Sequence, residues 1–448
     1  SFINGEWTEG KSNSVFRNVN PYNDSTITTF RLATREQVQE AFEAAKEAQK
    51  AWADSTTNER KEVIQKVINY YKENHEDIVQ MIVKETGGTI LKANVEVSLT
   101  LEVLEEALKY AGELDRVREV PSGIDGKVNK IVRLPLGVVS SISPFNFPVN
   151  LSMRSIIPAI ALGSTVVHKP DIQVGIVGGV IIAHPHAKLI SFTGSTAVGK
   201  RIGEIAGKHL KRVSLELGGN SPFIVLSDAD VDQAVNAAVF GKFVHQGQVC
   251  MSINRFIIHH KKHDEFVEKL TAKVKNLPCG DPSNPETVIG PLINKKQMEK
   301  ALSYMELAKK EGATPVLEGK LINNVLTPSI FTGVKNTDEV AQTELFAPIA
   351  LIIKASSDEE AIRLANETNR GLSSSIFTSD LEKGEQLALQ IDAGMTHVND
   401  QTVNDAPNIP FGGTKDSGVG RFGNPWVVEE FTVTKWVSVQ KKDRAFPF

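Results

Sequence analysis

Cysteine is scarce in this chain: Cys250 and Cys279 are its only thiols in 448 residues. Two thiols cannot form a disulfide framework, so a reducing, cytoplasmic setting is expected. Charge of one sign is lacking too. Lysine and arginine number 50 against 54 acidic residues, a formal net charge of −4. That argues against a general nucleic-acid or membrane-surface binder. Long apolar runs are missing: IIPAIALG and GIVGGVIIA are too short to span a bilayer. SFINGEWTEG has no basic region followed by an apolar run, so no secretory leader is expected. No His/Cys cluster has metal-ligand spacing, and no metal is expected. What is present, 41% apolar and 23% charged residues, is ordinary for a soluble globular protein. The length exceeds what one core supports, so two or more domains are expected.

Along the chain, Asn4-Gly5 between apolar residues predicts a tight hairpin. Thr34 with Gln37, and Thr56 with Glu59, are spaced as capping boxes. They precede helical faces formed by Val38, Ala41, Phe42 and Ala45, then by Val63, Ile64, Val67 and Ile68. A third helix should end at Gly87-Gly88, and a fourth should run from about Lys92 to Tyr110. From Val117 to Val139 the pattern turns β-like. STVVHK, AKLISFTGS, VSLELGG and PFIVL then predict strands, with GIVGGVIIA a helix between the first two. Strand–helix alternation implies a mostly parallel sheet covered by helices. A helix over Val231 to Val244 opens a second α/β unit that runs to about Gly413. The tail FTVTKWVSVQ alternates as a single strand in need of a partner, and another subunit is the expected source.

Three residues carry the chemistry. Cys250 follows the polar, flexible HQGQ, which predicts an exposed loop rather than the buried setting a cysteine usually takes. Cys279, in NLPCGDP, has no acid, base or amide motif beside it and is read as structural. In VSLELGG, alternation places Val213, Leu215 and Leu217 on one face and Glu216 on the other. Glu216 is either a surface carboxylate at a strand end or a general base there, with Gly218-Gly219 letting the backbone turn. Asn146, in SPFNFP, is either a turn residue or an amide donor to a developing oxyanion. A thiol, a carboxylate and an amide together can attack a carbonyl, stabilise the oxyanion and activate water. FTGSTAVG offers a strand, a glycine turn and a helix N-terminus suited to phosphate. It is not the GxGxxG fingerprint. Lys169 closes the strand VVHK, either solvated or placed to bind ribose or phosphate.

SPFNFP, KPDIQ, FTGSTAVG, LELGGNSP, GQVC, TELFAP and PFGGTKDSG occur in one order along essentially the whole chain. In that order they resemble the aldehyde dehydrogenase superfamily. Within it, SMRSIIPAIALG, HQGQVCMSINR and GMTHVNDQTVND resemble bacterial benzaldehyde and vanillin dehydrogenases. The resemblance implies an α/β fold: a Rossmann-type cofactor domain over 1–112 and 136–217, and an α/β catalytic domain over 218–423. It further implies a small β oligomerisation arm over 113–135 and 424–448, and hence a homodimer or homotetramer. It implies oxidation of an aldehyde to an acid with NAD or NADP. Cys250 would attack as thiolate to give a thiohemiacetal. Asn146 and the Cys250 amide would form the oxyanion hole, hydride transfer would leave a thioester, and Glu216 would activate the hydrolytic water. Lys169 would hold the adenosine ribose, Gly194 and Ser195 the pyrophosphate, and Glu344 the nicotinamide ribose, with Phe346 and Phe145 packed nearby.

Two departures from the family stand out. Only 22 residues separate Lys169 from Phe192, where a full βαβ unit takes roughly 30 or more. A strand and a helix of the cofactor domain would be missing. Intact flanks favour unresolved residues over a deletion, and a true deletion would put cofactor binding in doubt. Ile172 lies where NAD-preferring relatives commonly carry glutamate. It neither binds ribose hydroxyls nor repels a 2′-phosphate, so NADP should serve at least as readily as in those relatives.

If Asn146 precedes a helix, Phe147, Asn150, Leu151 and Arg154 share one face. That face is either ordinary packing with Arg154 in a salt bridge or the wall of an aldehyde tunnel. In the second case Phe147 and Leu151 would touch an aromatic ring, Asn150 or Arg154 a ring hydroxyl, and Val249 and Met251 would flank the thiol. Three alternatives remain open. Arginine at this spacing also suits succinate-semialdehyde dehydrogenases. Cys250 with Glu216 could turn over an activated ester without cofactor. An inactive binding protein is disfavoured by the retention of Cys250, Glu216 and Asn146 together.

Overall fold

A computed structural model describes residues 1–170 and 178–448. Ile172 and the first part of GIVGGVIIA lie outside the described residues. The shortening after Lys169, expected to reflect unresolved residues, falls at this same stretch and lies outside the described residues.

The chain opens with β1 (Phe2–Ile3) and β2 (Glu6–Trp7). They pair antiparallel about Asn4 (φ 53°) and Gly5 (φ 82°), the two positive φ values that a two-residue hairpin demands. A second hairpin joins β3 (Val15–Val19) and β4 (Thr26–Arg31). Four helices follow: α1 (Arg35–Ala53), α2 (Thr57–Glu73), α3 (His75–Thr86) and α4 (Ile90–Tyr110). Both capping boxes form as the spacing predicts. Gly87 ends α3 in the left-handed conformation at φ 68°, as its sequence position implies.

Next come β5 (Arg118–Val120), β6 (Lys127–Pro135), β7 (Val138–Ile142), α5 (Pro148–Ala161), β8 (Thr165–Lys169), α6 (Gly178–Ala183), β9 (Ala187–Thr193), α7 (Thr196–Lys208) and β10 (Arg212–Glu216). The first sheet has the order Gly418–Val419, β10, β9, β7, β8. Its last four strands run parallel. The strand Gly418–Val419 pairs antiparallel with β10, although it comes from the stretch assigned above to the catalytic domain.

β11 (Ser221–Val225), α8 (Val231–Phe243) and β12 (Ile253–His259) begin the second unit. Its seven-stranded sheet is parallel except at the edge strand Thr314–Leu317. Successive residues face opposite sides of such a strand. Phe223 and Val225 accordingly enter one core while Ile224 and Leu226 enter the other. A run of apolar residues is what burial on both faces requires, and each fully buried Phe or Ile contributes roughly 1.5–3 kcal/mol.

The tail strand Thr432–Gln440 does find a partner, but in its own chain: it pairs along its whole length with β6. The three-stranded order is Thr432–Gln440, β6, β5, so the far edge of the tail stays open. Among the described residues no helix is long and apolar enough to cross a membrane. None holds a cluster of His, Cys, Asp or Glu fit for a metal.

Candidate active site

In an open parallel sheet, ligands sit beyond the carboxyl ends of the strands where the strand order reverses. Here the chain goes from β7 outward to β8, then back across to β9 and β10. The sequence-predicted residues fall on that edge. Asn146 follows β7, Lys169 ends β8, Gly194 and Ser195 follow β9, and Glu216 ends β10. The second unit meets this edge at Gly218-Gly219. A Cβ on Gly218 would lie 2.1 Å from Glu344 Oε2, and one on Gly219 would lie 2.2 Å from the Cys250 carbonyl oxygen. The clash at Gly219 is with backbone, so that glycine is required by close approach, whereas a side chain at Gly218 would have to displace the ends of Glu344 and Arg370.

Cys250 lies on a turn between a 3-10 segment, Val244–Gly247, and β12. The loop expected to be exposed is not. His245, Gln246 and Gln248 are fully buried, and the two glutamines are held by hydrogen bonds that composition does not disclose. Gln246 Nε2 donates to the carbonyls of Gly87 and Pro291, each at 2.9 Å. Gln248 Oε1 accepts from the Ile293 amide at 3.0 Å. His245 and Gln246 take φ 51° and 58°. This strained turn is fixed by tertiary contacts. Burial, with Glu216 and Glu344 nearby, pushes the Cys250 thiol up to about 12, while Arg154 opposes the shift. Cys279 packs against the core of the second unit, away from these groups.

Glu216 is buried, and neither carboxylate oxygen has a hydrogen-bond partner among the described residues. Burial pushes it up to about 8, against the pull of Arg154 and Arg421. Asn146 is buried and donates from Nδ2 to the Gln248 carbonyl at 3.0 Å. A side-chain amide has two hydrogens, so this bond orients the group and leaves the second free to donate. Asn146 does precede a helix, α5, with Pro148 at its first position.

Among the cofactor candidates, Glu344 is tied down. Its Oε1 accepts from the Gly219 amide at 3.0 Å and its Oε2 from Arg370 at 3.1 Å. Arg370 also reaches Thr196 Oγ1 at 3.1 Å. Phe346, at φ 51°, meets Phe145 edge-on at 6.1 Å. Ser195 caps α7 with no side-chain bond to the helix. The first-turn amides of α7, left without a side-chain cap just after β9, are the donors an anion site requires. Lys169 is buried and donates to the Pro170 carbonyl at 3.1 Å. The set fits a nicotinamide ribose and a pyrophosphate. On the adenosine side Lys169 is the candidate among the described residues, and Ile172 lies outside them.

The substrate candidates lie at the start of α5 and along it, and on either side of Cys250 in the chain. Phe147, Val249, Met251 and Cys250 share one core with Phe411 and Phe422. Leu151 and Asn150 are buried on α5, and Asn150 Nδ2 has no partner among the described residues. Arg154 pairs with Asp405. Its guanidinium lies 4.2 Å from the Phe411 ring centroid. The Lys92–Glu96 pair, Arg370 and Asp405 were not singled out in the sequence. Lys92 and Glu96 gave one signal, opposite charges four residues apart amid apolar positions, whereas Arg370 and Asp405 acquire meaning only from tertiary contacts.

The chain matches the aldehyde dehydrogenase family over residues 7–178 and 174–437. It is 61% identical over 477 residues to AldY of Bacillus subtilis (strain 168), which carries the aldehyde dehydrogenase name without a substrate. That alignment covers 100% of this chain and 98% of AldY. A benzaldehyde dehydrogenase of the same organism, YfmT, is 45% identical, covering 100% and 98%. The solved betaine aldehyde dehydrogenase of Staphylococcus aureus in complex with NAD+ superposes with a TM-score of 0.96. It is 28% identical, with 99% and 98% of the chains covered. The chain belongs to the aldehyde dehydrogenase family, and its class is that of the NAD(P)-dependent aldehyde dehydrogenases. The family match breaks at 174–178, where the sequence is short.

Proposed function

We propose that this enzyme oxidises aromatic aldehydes of the benzaldehyde and vanillin type to carboxylic acids. The observation that carries the reading is that Cys250 packs against an apolar core whose members include Val249, Met251, Phe411 and Phe422, with Phe147 packed against the same core. The similarity to a benzaldehyde dehydrogenase supports it. The Cys250 thiol gives its proton to solvent and the thiolate Sγ attacks the aldehyde carbon, whose oxygen becomes an oxyanion met by the free Asn146 amide hydrogen and the Cys250 backbone amide. Loss of hydride from that carbon leaves a thioester on Cys250. NAD(P), when bound, would supply the hydride acceptor. Glu216 then takes a proton from water. The resulting hydroxide adds to the thioester carbon, the C–S bond breaks, and the acid leaves. An arginine at position 154 raises a second reading, a carboxylate-bearing substrate such as succinate semialdehyde, against which its pairing with Asp405 counts. We place self-association on the open edge of Thr432–Gln440, which exposes Trp436, Val437 and Val439.

The test is nicotinamide reduction, followed by absorbance, with benzaldehyde, vanillin and succinate semialdehyde, each with NAD and with NADP. Reduction with the aromatic aldehydes, abolished in Cys250→Ser, is expected, with NADP serving within about tenfold of NAD. Reduction with succinate semialdehyde alone would overturn the substrate. Ester turnover with no cofactor dependence and no aldehyde oxidation would overturn the reaction.

A further inference from the structure

Arg154 is a buried cation at the wall of the ring-lined cluster, and the structure shows what it has been given to do. One guanidinium nitrogen, Nη2, pairs with Asp405, and the two side chains are 6% and 12% exposed. The flat face lies over Phe411, with Phe422 farther off at 5.9 Å. The other terminal nitrogen, Nη1, has no partner among the described residues although it is buried. Both residues line one cleft with Phe411, Phe422 and Tyr110. The segment carrying Asp405 is also fixed to the thiol loop. Thr402, three residues earlier, donates from Oγ1 to the Met251 carbonyl at 2.6 Å, next to Cys250. That bond ties the segment leading to Asp405 to the residue after Cys250.

A lone buried arginine would draw an anion into this cleft. An arginine already paired with a carboxylate offers no net charge, only one remaining N–H donor. Such a donor suits a neutral acceptor and gives little to a second carboxylate, which would meet Asp405 as a like charge. We propose that Asp405 sets the charge selectivity of the aldehyde cleft: by pairing with Arg154 it excludes carboxylate-bearing aldehydes and leaves Arg154 Nη1 to meet a neutral oxygen on the ring. The inference rests on the reading that this cleft leads to Cys250, and it identifies which residue decides between the two substrate classes above.

The test reads the cleft without cofactor. Cys250 is alkylated with para-carboxybenzyl bromide and with para-methylbenzyl bromide, in each case the Sγ–carbon bond forming as bromide leaves. Peptide mapping separates Cys250 from Cys279. The ratio of the two rates cancels the reactivity of the thiol itself. In Asp405→Asn the ratio of charged to neutral reagent should rise about tenfold or more, because the guanidinium is released. In Arg154→Leu it should fall by a similar factor, because Asp405 is left alone. The two variants move in opposite directions, so failure of one to fold leaves the other decisive. A ratio within about twofold of the parent in a folded variant of either kind overturns the proposal. Oxidation of benzaldehyde and para-carboxybenzaldehyde is followed on the same samples. Ratios that shift as expected while benzaldehyde is not oxidised would reject the aromatic-aldehyde reading and keep this one.

Discussion

Glu216 is an acid buried without a partner for either oxygen, and burial holds its proton up to about pH 8. In its proposed role as the base for thioester hydrolysis, it should become available as pH rises through that value. The linkage to stability has the opposite sense. The folded pKa is raised, so between about 4.5 and 8 the folded state binds more protons than the unfolded chain. The stability contributed by the neutral acid is full below the lower value and is lost as pH climbs through the upper one. Two outcomes are expected of Glu216→Gln. Its melting temperature should exceed that of the parent above pH ~8, and the gap should close toward pH ~5. On mixing with aldehyde and cofactor, it should release one burst of reduced nicotinamide and hold the acyl group on Cys250, visible by intact mass. A steady rate equal to the parent would show that another group activates water. Cys250, Glu216 and Asn146 were legible because each sits in a distinctive segment beside glycine, proline or a polar run. Asp405 and Arg370 were not, since a lone charge in a loop acquires meaning only from what it meets across 251 or 26 positions of sequence.

At the scale of elements, the placement of Asn146 depends on the start of α5, and that start is held from beneath by α4. Glu96 Oε1 accepts the Val149 and Asn150 amides at 2.7 and 3.2 Å. Its other oxygen pairs with Lys92, and both side chains are fully buried. The Lys92 ammonium lies 4.4 Å from the Phe147 ring centroid. The carboxylate serves two of the helix amides that α5 cannot satisfy itself and carries the charge its N-terminus favours. Removing one partner of a buried pair strands the other charge, at a cost of about 3–5 kcal/mol. Glu96→Ala should thus lower the melting temperature and, where still folded, reduce kcat more than it raises KM, because Asn146 is displaced. Glu96→Gln keeps the acceptor oxygen and should recover kcat better than stability. An unchanged kcat in a folded Glu96→Ala protein would separate the pair from catalysis. The helices, caps and hairpin were legible here because they are local: two capping boxes, an Asn-Gly turn and a Gly87 stop are written within a few residues. The burial of HQGQ was not, since its hydrogen-bond partners lie at Gly87, Pro291 and Ile293.

At the scale of the molecule, two questions of assembly remain, and each has a measurement. The open edge of Thr432–Gln440 presents unpaired backbone and apolar side chains, which invite a second copy. Val437→Lys should convert the expected oligomer to monomer in sedimentation; a monomeric parent would remove the arm from that role. The second question concerns the crossover after β8. Eight residues, 170–177, join Lys169 to α6. The AldY alignment runs over 477 residues against 448 here, with the family match breaking at the same place. The relatives therefore carry chain that this sequence lacks, and with Lys169 proposed to hold the adenosine ribose, the adenosine side is where the loss would be felt. Glu344, Arg370 and Gly219, which fit the nicotinamide side, come from the second unit and the end of β10 and are untouched by the shortening. The grip should be uneven: firm on the nicotinamide ribose and weak on the adenosine. Calorimetry should then give similar Kd values for NAD and for nicotinamide mononucleotide, and each at about 100 Kd should stabilise the fold by about 2.7 kcal/mol. Grafting the AldY segment between residues 174 and 178 should tighten NAD by tenfold or more, about 1.4 kcal/mol, and leave the mononucleotide unchanged. Equal NAD affinity with and without the graft would mean that the eight-residue crossover holds the adenosine as well as the longer one does.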